Sequence, residues 1–352
     1  MLDNINDILF NRLFLILYFS VCFIVFIFLQ VGYYNNRETS KLQGSFLLLF
    51  SICFLFLFGF RNFEVGVDTM TYLSMFSNAE DFLFVDFGFG FFNKFLHGRV
   101  TERTFIFLMA FLYIMPLYFA IVRFSSKNKL FIFFCVISFF FFKSMGMNTM
   151  RQGVAFSLFF LSLSYNKNNW LKYVLIFFAL SMHLSMIFPI LVYGASNYIK
   201  NLKFPFFIFF ICTLLSVIKF NIYGLIQNIP LIAIADKIDS YSNLDTSDYK
   251  IGFRPDFFVF NLIFVFIGYF IYTKVADQRK YLKYLSSYLI LSGIFIVMFN
   301  SGFSDRYGFL SWIFIPLLIL PVLNGDKINR LITVSSILSF CFFIAVVFYI
   351  IK

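Results

Sequence analysis

A guanidinium and two amides stand between two of the most apolar stretches of this chain. The segment FKSMGMNTMRQGVAFS contains Asn148, Arg151 and Gln152, and it separates the apolar runs 130–142 and 153–165. An arginine at membrane depth is costly unless it is paired or functional. Its planar fork of N–H donors matches a phosphate or a carboxylate. The segment therefore predicts an anion-binding site, with a structural ion pair or an interfacial arginine as the alternative.

A second polar group lies in the segment GFRNFEVGVDTMTYLSMF, where an apolar run ends. Arg61 is a candidate cation or a simple interface anchor. Gly66 permits a tight turn. Asp68 and Tyr72 are four residues apart, so one helical face could carry both side chains. Asp68 predicts either an N-cap for a helix that opens at Thr69, or a catalytic or sugar-binding carboxylate.

Two further positions combine a polar side chain with apolar neighbours. Arg306 and Tyr307, in SDRYGF, predict a cation with a sugar-stacking ring, or the common interfacial pair of such residues. His183 interrupts the apolar run 173–194 and is either a hydrogen-bonded structural group or a general base. The other histidine of the chain, His97, is expected at the surface.

The composition specifies the elements that must position these residues. Of 352 residues, 61% are hydrophobic and 13% charged, which leaves too little polar surface for a soluble fold. The apolar runs are continuous rather than alternating, which favours helices over a β-barrel. We expect one all-α polytopic membrane domain over residues 1–352, with about 11–12 transmembrane segments. The runs fall at about 13–34, 42–60, 104–122, 130–142, 153–165, 173–194, 204–219, 257–273, 284–300, 307–323 and 331–351.

Several classes of function are excluded by what the sequence lacks. All five cysteines lie within apolar runs and form no CxxC pair, so no disulfide framework is expected. Two histidines cannot build a transition-metal cluster, and no P-loop, GxGxxG or GxSxG motif occurs. The net charge of +11 is explained by basic inner loops rather than by a nucleic-acid patch. We therefore expect no metal, no cofactor and no nucleic-acid partner.

The charges of the loops predict the topology. The short loops 35–41, 123–129 and 166–172 are basic, which places them in the cytoplasm. The long loops 61–103 and 220–256 then face outward, the second provided that 173–194 is a hairpin rather than a single span.

Two hairpins would reach only part of the way across the bilayer. About 20 residues are needed for one full span, so the run 173–194 cannot cross twice, and 130–142 and 153–165 are each short. We expect two half-depth hairpins, one with its tip near His183 and one that carries Arg151. Their polar side chains would converge on one outward-facing cavity.

Taken together, the motifs resemble those of the EpsG-type, Wzy-like polysaccharide polymerases. RNFEVGVDTMTY resembles the R-x-GVGTDY-x-x-Y segment, VDFGFGFFNKFL the E-P-G-[FY] stretch and MNTMRQGVAFS the N-x-[LIV]-RQ segment. ALSMHLSMIFPI and SDRYGFL resemble the family's FH-x-SAL and R-Y elements. The resemblance covers roughly residues 40–310. Some positions depart from it. The family's Thr-Asp-Tyr is Val67-Asp68-Thr69 here, its phenylalanine before the histidine is Met182, and its Glu-Pro pair is Asp86-Phe87. These changes leave roles for residues 69 and 86 in doubt.

This resemblance implies a reaction and its partners. The enzyme would move a growing glycan from its undecaprenyl-diphosphate carrier onto a single lipid-linked repeat unit, without a metal and with inversion at the anomeric carbon. It would work in the bacterial inner membrane with its active site facing the periplasm or exterior. Membrane lipid and, in some systems, a chain-length regulator protein would be its further partners.

The resemblance also implies roles for the polar residues. His183 would be the first candidate for the base that accepts the acceptor's proton, and Asp68 the second. Arg151 would bind the leaving diphosphate. The remaining substrate-binding candidates are Arg61, Tyr72, Asn148, Gln152, Arg306 and Tyr307.

Three other classes compete with a polymerase. A flippase or other transporter of lipid-linked oligosaccharide would also use broken helices, but it often shows an internal repeat, and no repeat is found here. An acyltransferase with a cytosolic donor would need its histidine and arginine on the inner side. A dolichyl-phosphate-type glycosyltransferase would need an acidic metal motif in the first loop, where Glu80-Asp81 is the only adjacent acid pair.

The topology is testable by labelling single cysteines with an impermeant maleimide in a background that lacks the five natural cysteines. Position 245 should label from outside and position 278 should be protected, because the hairpin at 173–194 places 220–256 outside and 274–283 in the cytoplasm. Positions in 143–152 and 301–306 should also label from outside. Labelling at 278 with protection at 245 would instead establish 173–194 as a single span.

Overall fold

The computed structural model describes residues 5–30, 37–80, 86–125, 127–220, 251–300, 304–324 and 330–351. These residues form helices joined by short connections, and none of them lies in a strand. The expected all-α membrane protein is therefore confirmed. Most of the loop 220–256, and the turn 301–303, lie outside the described residues.

Sixteen α-helices are numbered here in chain order, for the part of the chain that is described. They are α1 Asp7–Gln30, α2 Arg37–Gly59, α3 Thr69–Ser77, α4 Phe87–Leu96, α5 Glu102–Phe124, α6 Lys129–Ile137, α7 Phe140–Met147, α8 Met150–Leu163, α9 Trp170–Met182, α10 Ile187–Ala195, α11 Lys203–Val217, α12 Pro255–Tyr272, α13 Gln278–Val297, α14 Asp305–Trp312, α15 Ile315–Asn324 and α16 Arg330–Val346. Short 3₁₀ turns follow α9, α10 and α13, and a π-helical turn, Val347–Ile351, follows α16.

Seven helices among the described residues are long and apolar enough to cross a membrane. The pair α6 and α7 makes an eighth candidate, bent by 74° between its two halves, and α8, α9 and α11 are shorter apolar helices. In each predicted apolar run, the described residues are mainly helical. The predicted outer loop 61–103 contains two short helices, α3 and α4.

The chain packs as two compact units. The first comprises Met1–Met186, Val322–Gly325 and Asn329–Lys352, and the second comprises Ile187–Pro321 and Asp326–Ile328. In the first, α5 packs against α2 and α8, α8 packs against α9, and α4 packs against α9. In the second, α13 lies at the centre and packs against α10, α11, α12 and α14.

The second unit contains a buried cluster of hydrogen-bonded polar side chains. The side-chain oxygen of Asn261, on α12, accepts hydrogen bonds from Tyr288, Ser292 and Trp312 at 3.1–3.2 Å. All four residues are buried. Because an amide in an apolar interior is costly unless it is hydrogen-bonded, these bonds fix the register of α12, α13 and α14.

The bend between α6 and α7 is stabilised by hydroxyl groups. Where the helix breaks, the hydroxyl of Tyr349 donates to the carbonyls of Ile137 and Phe139, at 2.8 and 2.7 Å. Ser138 donates to the carbonyl of Phe134 and lies 3.0 Å from the hydroxyl of Tyr18. A broken helix is tolerated within a membrane only where its freed backbone groups find such partners.

The bend changes the shape of the first expected hairpin. The helix α7 continues into the expected turn 143–152 as far as Met147, and only Asn148 and Thr149 separate it from α8. Arg151 and Gln152 therefore lie in the first turn of α8 rather than in a connecting turn. The run 173–194 is interrupted at His183, as expected. Since α9 belongs to the first unit and α10 to the second, a hairpin there stays a prediction.

Candidate functional site

Arg151 forms a buried ion pair at the start of α8. Its Nη1 lies 2.8 Å from Oδ2 of Asp86, and the Asp86 side chain is fully buried. The Arg151 side chain is 21% exposed. The carboxylate thus holds one part of the guanidinium inside the protein, while another part reaches the surface, where it can meet a ligand.

Two aromatic rings line the guanidinium of Arg151. Its Cζ lies 5.1 Å from the ring centre of Phe89 and 5.7 Å from that of Tyr72. The two rings contact each other edge to face, with centres 6.0 Å apart. A guanidinium near aromatic faces gains cation–π attraction. Because Tyr72 is on α3 and Phe89 on α4, these rings bring the two short helices to the start of α8.

Asp86 connects Arg151 to the break that follows α9. Its second oxygen, Oδ1, accepts the backbone N–H of Leu184 at 2.8 Å. Gly88, two residues further on, lies so close to α9 that a Cβ there would approach Oγ of Ser181 to 2.3 Å. The close packing of α4 on α9 therefore depends on this glycine, and it places the carboxylate between α8 and the chain after His183.

His183 ends α9 in an extended conformation, with φ −155° and ψ 114°. Its half-buried side chain turns toward the 3₁₀ turn Leu184–Met186. There Nδ1 accepts the backbone N–H of Ser185 at 3.2 Å and lies 2.8 Å from the hydroxyl of the same residue. Arg151 therefore binds one oxygen of the Asp86 carboxylate directly. The other oxygen binds the backbone N–H of Leu184, the residue that follows His183.

Arg61 is fully buried, unlike Arg151. Burial lowers its pKa to about 9, with the nearby charge of Arg103 as a smaller cause, so it stays cationic at neutral pH. Its described hydrogen-bond acceptors are neutral: the carbonyls of Phe58, Val65 and Met147, the hydroxyl of Thr69 and the sulfur of Met150. These contacts fasten the loop after α2 to the start of α8.

Asn148 holds the same loop from the other side. Its Oδ1 accepts the N–H of Val67 at 3.0 Å, next to Gly66, whose φ of +91° confirms the expected tight turn. Asp68 follows at the N-cap position of α3. Its backbone is helical, and its side chain makes no capping hydrogen bond to the described first turn. The helix therefore opens at Thr69 as expected, with Asp68 at its N-cap position but without the side-chain capping bond. A chemical role for the Asp68 carboxylate stays a prediction.

The other predicted site residues lie in different surroundings. Gln152 is buried beside Arg151. Arg306 and Tyr307 are half-buried in the first turn of α14, which belongs to the second unit. No group of three or more metal-ligating side chains occurs in the part of the chain that is described. The first unit thus brings together Arg151, Tyr72 and His183 around Asp86.

The sequence reasoning left the role of Asp86 in doubt, although a signal for it existed. Asp86 stands where the resembling family carries the acid of its E-P-G stretch, and the change from glutamate to aspartate keeps the carboxylate. The family's following proline is replaced here by Phe87, so the two-residue motif matches only in its acid. Asp86 lies in a mainly apolar stretch, and Arg151 was expected at membrane depth. An acid and an arginine that are both in apolar surroundings indicate an ion pair.

The variant Asp86→Asn should destabilise the protein strongly. It leaves Arg151 largely buried without its counter-charge, which costs about 3 kcal/mol of unfolding free energy for a buried pair. The control is Asp256→Asn, which breaks the pair of Arg254 and Asp256, also 2.8 Å apart but with a 48% exposed carboxylate. That change should cost under about 1 kcal/mol. Melting curves in detergent compare them, and equal losses would contradict the structural importance of Asp86.

The comparisons with known proteins bear on what this site does. Neither the comparison with curated proteins nor that with solved structures gives a match. The family model described as the EpsG family matches residues 44–352, which contain all the site residues described above.

That match covers most of the chain and agrees with the motifs around Arg151, His183 and Asp86. The chain therefore belongs to the EpsG family, a family of Wzy-like polymerases of exopolysaccharide and O-antigen synthesis.

Proposed function

We propose that this protein joins undecaprenyl-diphosphate-linked repeat units into a polysaccharide at the outer face of the bacterial inner membrane. The observation that carries the proposal is Arg151, which a buried carboxylate holds at the start of α8 with 21% of its side chain exposed. A partly exposed arginine fork, fixed in place, suits the diphosphate of a lipid-linked glycan. Membership of a polymerase family supplies the reaction class.

The proposed reaction is one displacement. A hydroxyl oxygen of the acceptor repeat attacks the anomeric carbon of the growing chain, and a C–O bond forms. The bond from that carbon to the carrier's diphosphate oxygen breaks, and its electron pair leaves with the lipid diphosphate. Attack opposite the leaving group inverts the configuration. The acceptor's proton passes to a base, for which His183 and Asp68 are the candidates.

We propose a different role for each of the remaining residues. Arg151 would stabilise the negative charge that develops on the leaving diphosphate. Tyr72 lies under that guanidinium and would orient it, with a sugar contact at its edge. Asn148, Gln152 and Arg61, which are half-buried or buried, would support the site from within the protein. For Arg306 and Tyr307, in the second unit, the roles of a second cation and a sugar-binding ring rest on the resemblance alone.

A flippase for the same lipid-linked units is the second candidate. The interruptions between α6 and α7 and after α9 favour it, because transporters often place broken helices at their substrate sites. Analysis of surface glycan from a strain lacking the gene separates the two functions. Glycans with a single repeat unit support the polymerase, whereas loss of all surface glycan supports the flippase.

Arg151→Lys should fold and insert but make little polymer when it is returned to that strain. A lysine keeps the charge but loses the fork that binds a diphosphate through two parallel hydrogen bonds. The matched control is Arg123→Lys, an exposed arginine at the end of α5, which should restore full-length glycan. The measurement is glycan length on gels at equal protein level in the membrane. Near-normal polymer from Arg151→Lys would remove the diphosphate assignment.

A further inference from the structure

The hydrogen bonds of His183 determine which of its ring nitrogens carries the proton. The backbone N–H of Ser185 points at Nδ1 from 3.2 Å. A backbone amide nitrogen can only donate, so Nδ1 must present a lone pair. A neutral imidazole with a lone pair at Nδ1 carries its proton on Nε2. The hydroxyl of Ser185, 2.8 Å away, can donate to the same lone pair.

The other histidine has the opposite arrangement. Nδ1 of His97 lies 2.9 Å from the carbonyl oxygen of Phe76. A carbonyl can only accept, so Nδ1 of His97 must carry a proton. The chain contains only these two histidines. Each is therefore expected in a different tautomer, and His97 provides an internal reference for His183.

The donor to Nδ1 is held in place by the backbone around it. The N–H of Leu184 is bound to Oδ1 of Asp86 at 2.8 Å, and the N–H of Met186 donates to the carbonyl of His183 at 3.0 Å. Ser185 lies between these two anchored residues, in the 3₁₀ turn. Its amide is therefore oriented toward the imidazole by contacts that do not involve the ring.

This arrangement opposes the role of a general base. A second proton on the ring would have to enter at Nδ1, where it would face the Ser185 amide hydrogen. The nitrogen Nε2 already carries a proton, so it has no lone pair to offer. In this tautomer the ring carries an N–H at Nε2, on the residue beside Leu184, which shares the Asp86 carboxylate with Arg151. The carboxylate binds Arg151 directly and holds the backbone next to His183, while Ser185 holds the ring. An arginine fork and an imidazole N–H match a phosphate group better than they match a hydroxyl that must lose a proton.

We infer that His183 donates a hydrogen bond from Nε2 to a phosphate oxygen of the lipid-linked substrate, and that Ser185 is the positioning residue that fixes this tautomer. The inference rests on the proposed function for the identity of the substrate. It assigns the acceptor's proton to Asp68, the remaining candidate base. Asp68 lies four residues before Tyr72, whose ring contacts Arg151.

The tautomer can be measured without any assay of activity. Protein labelled with ¹⁵N-histidine, in lipid nanodiscs at pH 7, should show His183 unprotonated at Nδ1 and protonated at Nε2. His97 should show the reverse, and the variant His97→Gln assigns the two sets of signals. A proton on Nδ1 of His183, as the other tautomer or as the cation, overturns the inference whether or not the protein is a polymerase.

Ser185→Ala tests the positioning role with the same spectrum. The substitution removes the hydroxyl donor but keeps the backbone amide, so the tautomer should persist. The ¹⁵N chemical shift of Nδ1 should move toward the value of an unprotonated ring nitrogen that accepts fewer hydrogen bonds. An unchanged Nδ1 resonance would show that the hydroxyl does not hold the ring. Ser196→Ala, at a buried serine in the second unit, is the control and should leave the His183 signals unchanged.

The phosphate contact is tested by ligand addition. Undecaprenyl diphosphate without a glycan should shift the Nε2 resonance of His183, and undecaprenol, which lacks phosphate, should not. This binding readout does not depend on polymerisation. If neither lipid shifts the resonance, or both do so equally, the assignment of His183 to a phosphate oxygen is wrong.

The kinetic test compares two substitutions of His183 in purified enzyme with defined lipid-linked repeats. His183→Gln places an amide N–H near the position of Nε2 and should keep the polymerisation rate within about tenfold. His183→Ala should lose about 10²–10³-fold, as for removal of one donor from a developing anion. A general base would make the two variants equally poor, because an amide cannot accept the proton, and that result overturns the donor role.

Discussion

The carboxylate of Asp86 is the interaction on which the site depends. It is fully buried, and its two oxygens bind Arg151 and the N–H of Leu184, both at 2.8 Å. A buried carboxylate is costly unless it is paired and hydrogen-bonded on its remaining lone pairs. These contacts meet both conditions. As a consequence, α4, α8 and the end of α9 are fixed relative to one another. Apolar contacts alone would not fix these positions as well, because they lack the directionality of hydrogen bonds.

Several polar groups of the first unit lie where its helices are interrupted. Asn148 precedes α8, His183 follows α9, and the bend between α6 and α7 is bound by the hydroxyl of Tyr349. Within an apolar solvent a continuous helix hides its own backbone, so only an interruption exposes N–H and C=O groups for binding. The interruption after α9 uses this directly, because the freed amides of Leu184 and Ser185 bind Asp86 and His183.

The sequence predicted the helices and named most of the residues that meet in the candidate site, but it did not predict the contacts between them. Continuous apolar runs are a strong signal of transmembrane helices, because each span must be about 20 residues long. Arg151 was recognisable as a candidate because an arginine at membrane depth is energetically costly. Asp86 was not assigned, since it lies 65 residues from Arg151 and 98 from Leu184 along the chain. Arg61 and Arg151 looked alike in sequence. Only their partners distinguish them: neutral acceptors around a fully buried Arg61, and an acid beside a partly exposed Arg151.

This contrast between the two arginines suggests why the site needs both. Arg61 binds the carbonyl of Met147 and the sulfur of Met150, and so holds the residues on either side of the break before α8. Arg151 then begins its helix from a fixed backbone, with Asp86 and two rings defining the direction of its fork. Donors that are already oriented when charge develops on a leaving group lower the barrier most, because nothing has to reorganise at that moment. Under the proposed function, the fully buried Arg61 contributes rigidity and the partly exposed Arg151 contributes the contact with the diphosphate.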